Sequence, residues 1–153
     1  MPRVWRLCKS NWAATAFSGV GAAEFPGRWN SEGQKIVYTA SSQALAALEM
    51  LAHVEDRSYL RRAQFVITSV DVPEALVQVP KRLPARWSAL PITRSSQKFG
   101  DRFLAAALLP AMRVPSAIVP DEFNYLLNPL HPGFDEFDIG KPERFRFDSR
   151  LCS

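Results

Sequence analysis

The sequence of 153 residues contains little cysteine and little histidine, with two residues of each. Cys8 and Cys152 lie at opposite ends of the chain, and neither belongs to a Cys-x-x-Cys pair. Domains built on disulfides use more cysteine than this, so we expect two reduced thiols. His53 and His131 are far apart in the sequence. Their separation is not that of a zinc ligand set, and we predict no metal site.

Long apolar runs are also absent. The longest apolar-rich stretch, residues 103–112, is far shorter than the ~18 residues of a membrane-spanning helix. Arg3, Arg6 and Lys9 near the start of the chain are not followed by the continuous apolar segment of a secretory signal. These absences predict a cytoplasmic protein that makes no membrane contact.

The composition indicates one folded domain. Hydrophobic residues make up 47% of the chain, which is too many for a disordered protein. The chain contains no repeats and no long linker, so we expect a single domain over residues 1–153. Proline is over-represented, with 12 of the 153 residues against a usual ~5%. This excess predicts many fixed corners and few long helices.

The net charge of +4 combines two segments of opposite sign. Residues 80–115 contain seven cations and one carboxylate, Asp101, whereas residues 116–143 contain six carboxylates and one cation, Lys141. This division fits a solvated surface of mixed charge, an anionic ligand near the basic segment, or a protein partner that meets both signs. Aromatic residues for base stacking are few in the basic segment, so nothing there requires nucleic acid.

The residue pattern predicts more strands than helices. Strands are expected at residues 3–7, 35–40, 64–72, 115–120, 124–129 and 144–148. Helices are expected at residues 43–55, capped by Ser41 or Ser42, and at residues 96–109, stopping near Pro110. Only one strand–helix–strand stretch indicates a parallel crossover. The predicted fold class is therefore α+β, with small mixed or antiparallel sheets and a few helices.

Glu49 is the most informative polar residue of the first helix. From Ala44 to Ala52 all residues except Glu49 are apolar, so the helix is predicted to be buried on every side. Ionising a carboxylate in that environment without a partner costs several kcal/mol. Three interpretations follow: an ion pair with an arginine, a helix edge that reaches solvent, or a carboxylate held in a cleft for acid, base or electrostatic work.

Three further residues each have a structural and a functional interpretation. Arg28, in the segment Gly-Arg-Trp-Asn, is either a surface residue stacked on Trp29 or a guanidinium placed for a phosphate or diphosphate. Tyr38 is either a half-buried strand residue or a ring that stacks on a planar ligand, with its hydroxyl at the wet end. Ser116 follows Pro115 and, considered alone, is typical of a turn.

Together, these residues resemble the RES-domain toxins of bacterial toxin–antitoxin pairs. The resemblance rests on GRWN-x7-Y-x10-E, containing GQKIVYTA and ALAALE, and on VPSAIVPDEFNYLLNP-LHP from Val114 to Pro132. It covers the chain from about Val4 to Phe147 in the expected order. The arginine, glutamate and serine for which the family is named correspond to Arg28, Glu49 and Ser116, and the family's early arginine corresponds to Arg6.

The resemblance implies a fold similar to ADP-ribosyltransferases and a protein that consumes NAD as a substrate, with no cofactor. Glu49 would stabilise the positive charge that develops on the ribose when the nicotinamide–ribose bond breaks. Tyr38 would stack on the nicotinamide, and Arg28 would pair with the diphosphate. Ser116 would bond to the region of the nicotinamide ribose or the phosphates.

The remaining implied contacts are with substrate and partners. Arg6 is expected to bind NAD, and Asn124 to shape the pocket. The resemblance implies an Xre-like helix-turn-helix antitoxin that blocks the cleft, a homodimer within that complex, and no direct contact with nucleic acid except through the antitoxin. It leaves open whether water, phosphate or a protein accepts the ADP-ribose. An RNA-cleaving toxin and a non-catalytic nucleotide-binding module are the alternative functions.

Overall fold

The computed structural model describes all 153 residues as one mixed sheet with short helices around it. The strands are β1 (Arg3–Lys9), β2 (Val37–Ala40), β3 (Phe65–Asp71), β4 (Val77–Gln78), β5 (Ala111–Pro115), β6 (Phe123–Leu127), β7 (Asp138–Ile139) and β8 (Glu143–Phe145). The α-helices are α1 (Val20–Glu24), α2 (Gln43–His53), α3 (Ser58–Arg62) and α4 (Arg94–Ala106). Four 3-10 helices span Ser10–Thr15, Glu74–Leu76, Pro132–Glu136 and Ser149–Leu151.

The sheet has the strand order β4-β5-β6-β2-β1-β3-β7, and β8 also pairs with β3. Every pair is antiparallel except β4 and β5, which are parallel and are connected through α4. β1 is antiparallel to both β2 and β3, so these two strands run in the same direction on either side of it. The connection from β2 to β3 passes through α2 and α3.

The sheet opens between β1 and β2. These strands share a single residue pair, Trp5 with Ala40, whereas β1 and β3 pair over seven residues. Because only one pair joins β1 to β2, the strands diverge and leave main-chain groups available on either side of the gap. This opening, which we call the cleft, lies next to β2, the strand that leads into α2.

Three hydrophobic clusters support the cleft. One packs α2 against β1 through Leu45, Ala46 and Leu7, and a second lies on the opposite face of the sheet around Val4 and Val70. The third joins α4 to β5 and β6 and contains the buried ring of Trp29 with Phe103, Met112, Val114 and Leu126. The third cluster anchors the Gly27–Asn30 segment next to β2.

The α+β class and most of the predicted elements are confirmed. The strands expected at residues 3–7, 35–40, 64–72, 124–129 and 144–148 correspond to β1, β2, β3, β6 and β8. Ser42 accepts a hydrogen bond from the N–H of Leu45 and is the cap of α2. Both cysteines are free, as expected, and both are buried. The longest helix has 13 residues, and none combines the length and apolar content needed to cross a bilayer.

The prediction of a strand at residues 115–120 is wrong. β5 ends at Pro115, and the chain then leaves the sheet. The hydroxyl of Ser116 accepts the N–H groups of Ile118 and Val119. These donors therefore point into the turn and are not available to a neighbouring strand.

The prediction that α2 is buried all round is also wrong. The helix ends at His53, and Ala44, Leu48 and Ala52 form an exposed stripe at helical spacing. Apolar content alone therefore overestimated its burial. The second predicted helix also shifts: α4 begins after Thr93, which caps it, and ends at Ala106, before Ala107, whose φ of 48° is left-handed.

Candidate active site

Glu49 lies at the edge of α2, where the helix meets the cleft. Leu45 and Ala46 pack into the core and fix the rotation of the helix. Glu49 follows Leu45 by four residues, so its side chain projects from nearly the same side, one turn further along. Its position is half-buried.

Neutral donors hold the Glu49 carboxylate. Oε1 accepts from Nδ2 of Asn124 at 2.8 Å, and Oε2 accepts from Oγ of Ser116 at 3.0 Å. The three salt bridges of the protein all lie elsewhere, so the interpretation of Glu49 as an ion pair with arginine is wrong. Burial raises the pKa of Glu49, and the bonds from Asn124 and Ser116, with the nearby His53, oppose this rise.

Ser116 is fully buried, and its hydroxyl is directed to Glu49. Its Oγ accepts two main-chain N–H groups, from Ile118 at 3.1 Å and Val119 at 3.2 Å. These two donors occupy the oxygen lone pairs, so the hydroxyl proton is left for Oε2 of Glu49. Ser116 therefore positions the carboxylate in this structure, and its expected contact with substrate stays a prediction.

Asn124 is held in the centre of the sheet. It pairs with Ala40 of β2 and with Val114 of β5. Its Nδ2 donates to the carbonyl of Thr39 at 3.3 Å as well as to Glu49. The rigid strand β6 thus fixes one carboxylate oxygen, and the turn after β5 fixes the other.

Tyr38 of β2 holds the Gly27–Asn30 segment in place through its hydroxyl group. Its hydroxyl donates to Oδ1 of Asn30 at 2.6 Å and accepts the N–H of Trp29 at 3.0 Å. The expectation that this hydroxyl lies at the wet end of the ring is wrong, because the segment closes over it. A Cβ added at Gly27 would lie 2.9 Å from the hydroxyl oxygen. Desolvation raises the pKa of Tyr38, so the phenol stays neutral.

Arg28 is bound by main-chain carbonyls. Its Nη1 donates to the carbonyl oxygens of Trp87 at 2.8 Å and Ala89 at 3.0 Å. No carboxylate pairs with it, and desolvation lowers its pKa while the nearby Tyr38 opposes this change. Trp29 stacks on Trp87, with ring centroids 6.0 Å apart. Arg28 is therefore held through Nη1 alone, and no carboxylate of the protein pairs with its positive charge.

Arg6 connects the two sides of the opening in the sheet. Its Nε donates to the carbonyl of Ala16 at 2.6 Å, and its Nη1 donates to the carbonyl of Tyr38 at 3.1 Å. The second bond crosses from β1 to β2. Burial lowers the pKa of Arg6, and no carboxylate compensates its charge. Arg6 thus binds the main chain of Tyr38, and Arg28 lies close enough for the Tyr38 side chain to affect its pKa.

Sequence reasoning missed the residues that hold the Arg28 segment in place. Asn30 is fully buried; its Oδ1 accepts the N–H of Gly27, and its Nδ2 donates to the carbonyl of Ala22. Asp101 accepts from both the N–H and the hydroxyl of Ser31. Asn30 lies inside the Gly-Arg-Trp-Asn motif and could have been found there. Asp101 lies 70 positions from Ser31, and no local pattern indicates their contact.

These features define an α+β protein whose candidate site combines two arginines with a hydrogen-bonded carboxylate. Arg6 and Arg28 have no carboxylate partner, and the carboxylate of Glu49 is held only by the neutral donors Asn124 and Ser116. No group of three or more histidine, cysteine, aspartate or glutamate residues is arranged to hold a metal ion. The cleft therefore offers charge and hydrogen bonds as its chemistry.

The chain belongs to the RES domain family, whose model matches residues 3–148. A protein of Pseudomonas putida named "Toxin Res" is 38% identical over 97% of this chain and 98% of its own length. A "Prs ADP-ribosylating toxin" of a Sphingobium species is 36% identical over 96% of this chain and 94% of its own. This relative supports the expected similarity to the ADP-ribosyltransferase fold.

A solved structure has the same fold at low sequence identity. It is the MbcT–MbcA toxin–antitoxin complex of M. tuberculosis, in which the matching chain gives a TM-score of 0.71. The match covers 94% of this chain and 84% of the other, with 17% identity. The likeness establishes the architecture of the sheet and helices.

Proposed function

We propose that this protein is the toxin of a toxin–antitoxin pair and that it consumes NAD by cleaving the nicotinamide–ribose bond. The observation that carries the proposal is the Glu49 carboxylate, held in the cleft by Ser116 and Asn124 without a cationic partner. Breaking the bond places positive charge on the ribose. A carboxylate already neutralised by arginine would respond weakly to that charge, whereas Glu49 is available to stabilise it.

The two arginines supply the complementary attraction for the dinucleotide. Arg28 is fixed through Nη1, and its Nε and Nη2 donors form no hydrogen bond with the protein. Guanidinium donors in this planar arrangement match the oxygens of a diphosphate. Arg6 adds a second buried positive charge at the opening between β1 and β2. Binding of an anion there recovers part of the desolvation cost of both cations.

Tyr38 and Asn124 orient the reacting part of NAD. The Tyr38 hydroxyl is enclosed by Asn30 and the Trp29 N–H, which holds the ring rigid for stacking on the nicotinamide. Asn124 and Ser116 aim the carboxylate of Glu49 at the ribose. A fixed geometry is valuable because small displacements of a charge from the reacting atom weaken its stabilising effect.

The ADP-ribose has three candidate acceptors: water, inorganic phosphate and a protein side chain. The Sphingobium relative is named for ADP-ribosylation, and this name favours a transferase with a protein acceptor. NAD is then the substrate, and the proposed reaction uses no cofactor.

An antitoxin partner is part of the proposal. The fold neighbour was solved as a toxin–antitoxin complex, which supports such a partner for this chain. We assign the partner to the Xre-like helix-turn-helix class, with a toxin homodimer in the complex and the antitoxin covering the cleft. DNA contact in that arrangement belongs to the antitoxin.

The test incubates the purified protein separately with NAD and with RNA. The expected result is loss of NAD with intact RNA, and no NAD loss in the Glu49→Gln variant. Glu55→Gln, at an exposed position just beyond α2, is the matched control and keeps full activity. RNA cleavage without NAD loss would replace the proposal with an RNA-cleaving toxin. NAD binding without turnover would replace it with a non-catalytic nucleotide-binding module.

A further inference from the structure

One side of the protein carries a group of exposed cations without anionic partners, which we call the basic face. Three of them, at a spacing of four residues, follow the solvent side of α4, and three others belong to the loop before it. None forms a salt bridge. The members are Lys81, Arg82, Arg86, Arg94, Lys98 and Arg102.

The one carboxylate of this region does not neutralise the basic face. Asp101 accepts two hydrogen bonds from Ser31 and forms no salt bridge with these cations. A solvated surface of mixed charge normally intersperses both signs. The basic face lacks that mixing, so its positive potential is concentrated.

The basic face borders the candidate active site. Trp87 of the loop and Phe99 of α4 both pack against the ring of Trp29, which places the loop beside the helix. The carbonyls of Trp87 and Ala89 bind Arg28. The residues that carry the cations are therefore continuous with the wall that positions Arg28 in the cleft.

Exposed apolar residues lie within the basic face. Leu90 is 80% exposed and Ile92 is 36% exposed, and both lie in sequence between Arg86 and Arg94. An apolar anchor surrounded by charge is typical of a protein interface. A nucleic-acid backbone offers no partner for an apolar anchor, and the two aromatic residues of the region, Trp87 and Phe99, already pack on Trp29. The surface thus fits an acidic protein better than it fits nucleic acid.

We propose that the basic face docks the protein that accepts ADP-ribose, and that this acceptor presents an acidic surface around an apolar recess. The inference rests on the proposed NAD cleavage and names its second substrate class. The bond between the ribose C1′ and the nicotinamide nitrogen breaks, and nicotinamide leaves with the bonding electron pair. A nucleophilic side chain of the docked protein forms a bond to C1′ and releases its proton to solvent.

The test separates NAD cleavage from transfer. Free nicotinamide is measured with purified protein alone, where water takes the place of the protein acceptor and the product is free ADP-ribose. Labelling is measured with biotinylated NAD in a bacterial extract from which nucleic acid has been removed. The basic-face variant is Arg86→Glu/Arg94→Glu/Lys98→Glu. The control variant makes the same change in net charge elsewhere, at the exposed residues Arg57, Arg144 and Arg146, each replaced by glutamate.

The basic-face variant is expected to release nicotinamide within about twofold of wild type and to lose protein labelling at least about tenfold. The control variant keeps both. Wild-type labelling is expected to fall as salt rises from about 50 mM to about 500 mM, with nicotinamide release unchanged. Leu90→Asp, a single change at an exposed position, is expected to lose labelling in the same way and provides a second variant with little effect on folding.

Each contrary outcome identifies what failed. Nicotinamide release by wild type with no labelled protein overturns the docking inference and leaves the NAD cleavage standing. Undiminished labelling by both the basic-face variant and Leu90→Asp overturns it as well. Label found on nucleic acid restored to the extract replaces the acidic protein by nucleic acid. Absence of nicotinamide release by wild type contradicts the proposed function itself.

Discussion

Replacing Ser116 with alanine removes one oxygen that makes three hydrogen bonds. The hydroxyl donates to Oε2 of Glu49 and accepts the N–H groups of Ile118 and Val119. The change in volume is small, so packing is nearly preserved. The substitution therefore tests the hydrogen bonds rather than the shape of the core.

The magnitude follows from the kind of bonds lost. A hydrogen bond to a charged group contributes about 1.5–3 kcal/mol. The two orphaned N–H groups add less than their full desolvation cost, because Ile118 is exposed and water can reach that turn. We expect the free energy of unfolding to fall by about 2–3 kcal/mol. We also expect kcat for nicotinamide release to fall about 10- to 100-fold, because the carboxylate loses one of its two fixed donors.

The assay is steady-state kinetics of nicotinamide release over a range of NAD concentrations and pH. A positioning role predicts a fall in kcat with KM changed less than about threefold. Loss of the Ser116 bond raises the pKa of Glu49 further, so the acidic limb of the pH–rate profile is expected to move to higher pH. Ser116→Cys, which retains a weak donor, is expected to recover part of kcat.

The control is Ser88→Ala, at an exposed position, which is expected to leave the free energy of unfolding, kcat, KM and the pH–rate profile unchanged. A raised KM with unchanged kcat would refute the positioning role and show instead that Ser116 contacts the substrate directly. A folded Ser116→Ala variant with unchanged kcat and pH profile would show that the Glu49–Ser116 bond has no part in the reaction.

Three other substitutions test the cleft and its support. Burial raises the pKa of Glu49 above its unfolded value, so the folded protein retains a proton that the unfolded chain has released. Urea unfolding from about pH 4 to about pH 8 should therefore show wild type losing stability with rising pH relative to Glu49→Gln. An equal pH dependence of the unfolding free energy in the two proteins would contradict this. Gly100→Ala places a methyl group onto the carbonyl of Trp29 and should lower the free energy of unfolding by about 3 kcal/mol or more. The control Gly21→Ala meets no atom within 4 Å and should be neutral or stabilising. Equal effects of the two substitutions would refute the close contact between Gly100 and the Trp29 carbonyl. Arg28→Lys replaces the planar guanidinium by an ammonium, which cannot bind both carbonyls and a diphosphate at once. KM for NAD should therefore rise about tenfold, with kcat within about threefold of wild type. An unchanged KM would show that Arg28 does not bind the substrate.

Local chemistry predicted much of the fold. β-branched and aromatic residues marked β2 and β3, and Ser42 followed by an apolar run marked α2. Boundaries failed where side chains compete with the main chain, as at Ser116, whose hydroxyl takes two N–H groups from the predicted strand. The exposure of Leu48 was missed because apolar content does not show which helix face lacks a partner.

The candidate site was predictable only in part. The ordered motif identified Arg28, Glu49 and Ser116, but no spacing rule shows that Ser116 and Asn124 bind the two oxygens of one carboxylate. They lie 67 and 75 positions from Glu49, and the turn after β5 and the strand β6 bring them together. The ion pair considered for Glu49 was wrong for the same reason, because its partners depend on tertiary contacts.

The most direct test of the central claim is proton NMR of NAD incubated with wild-type protein and with Glu49→Gln. Wild type is predicted to produce the signals of free nicotinamide, and the accompanying ribose signals identify the ADP-ribose product. Glu49→Gln, shown to be folded by its thermal transition, is predicted to release nicotinamide at least about 100-fold more slowly. NAD that stays intact with wild type, or turnover undiminished in Glu49→Gln, would contradict the account.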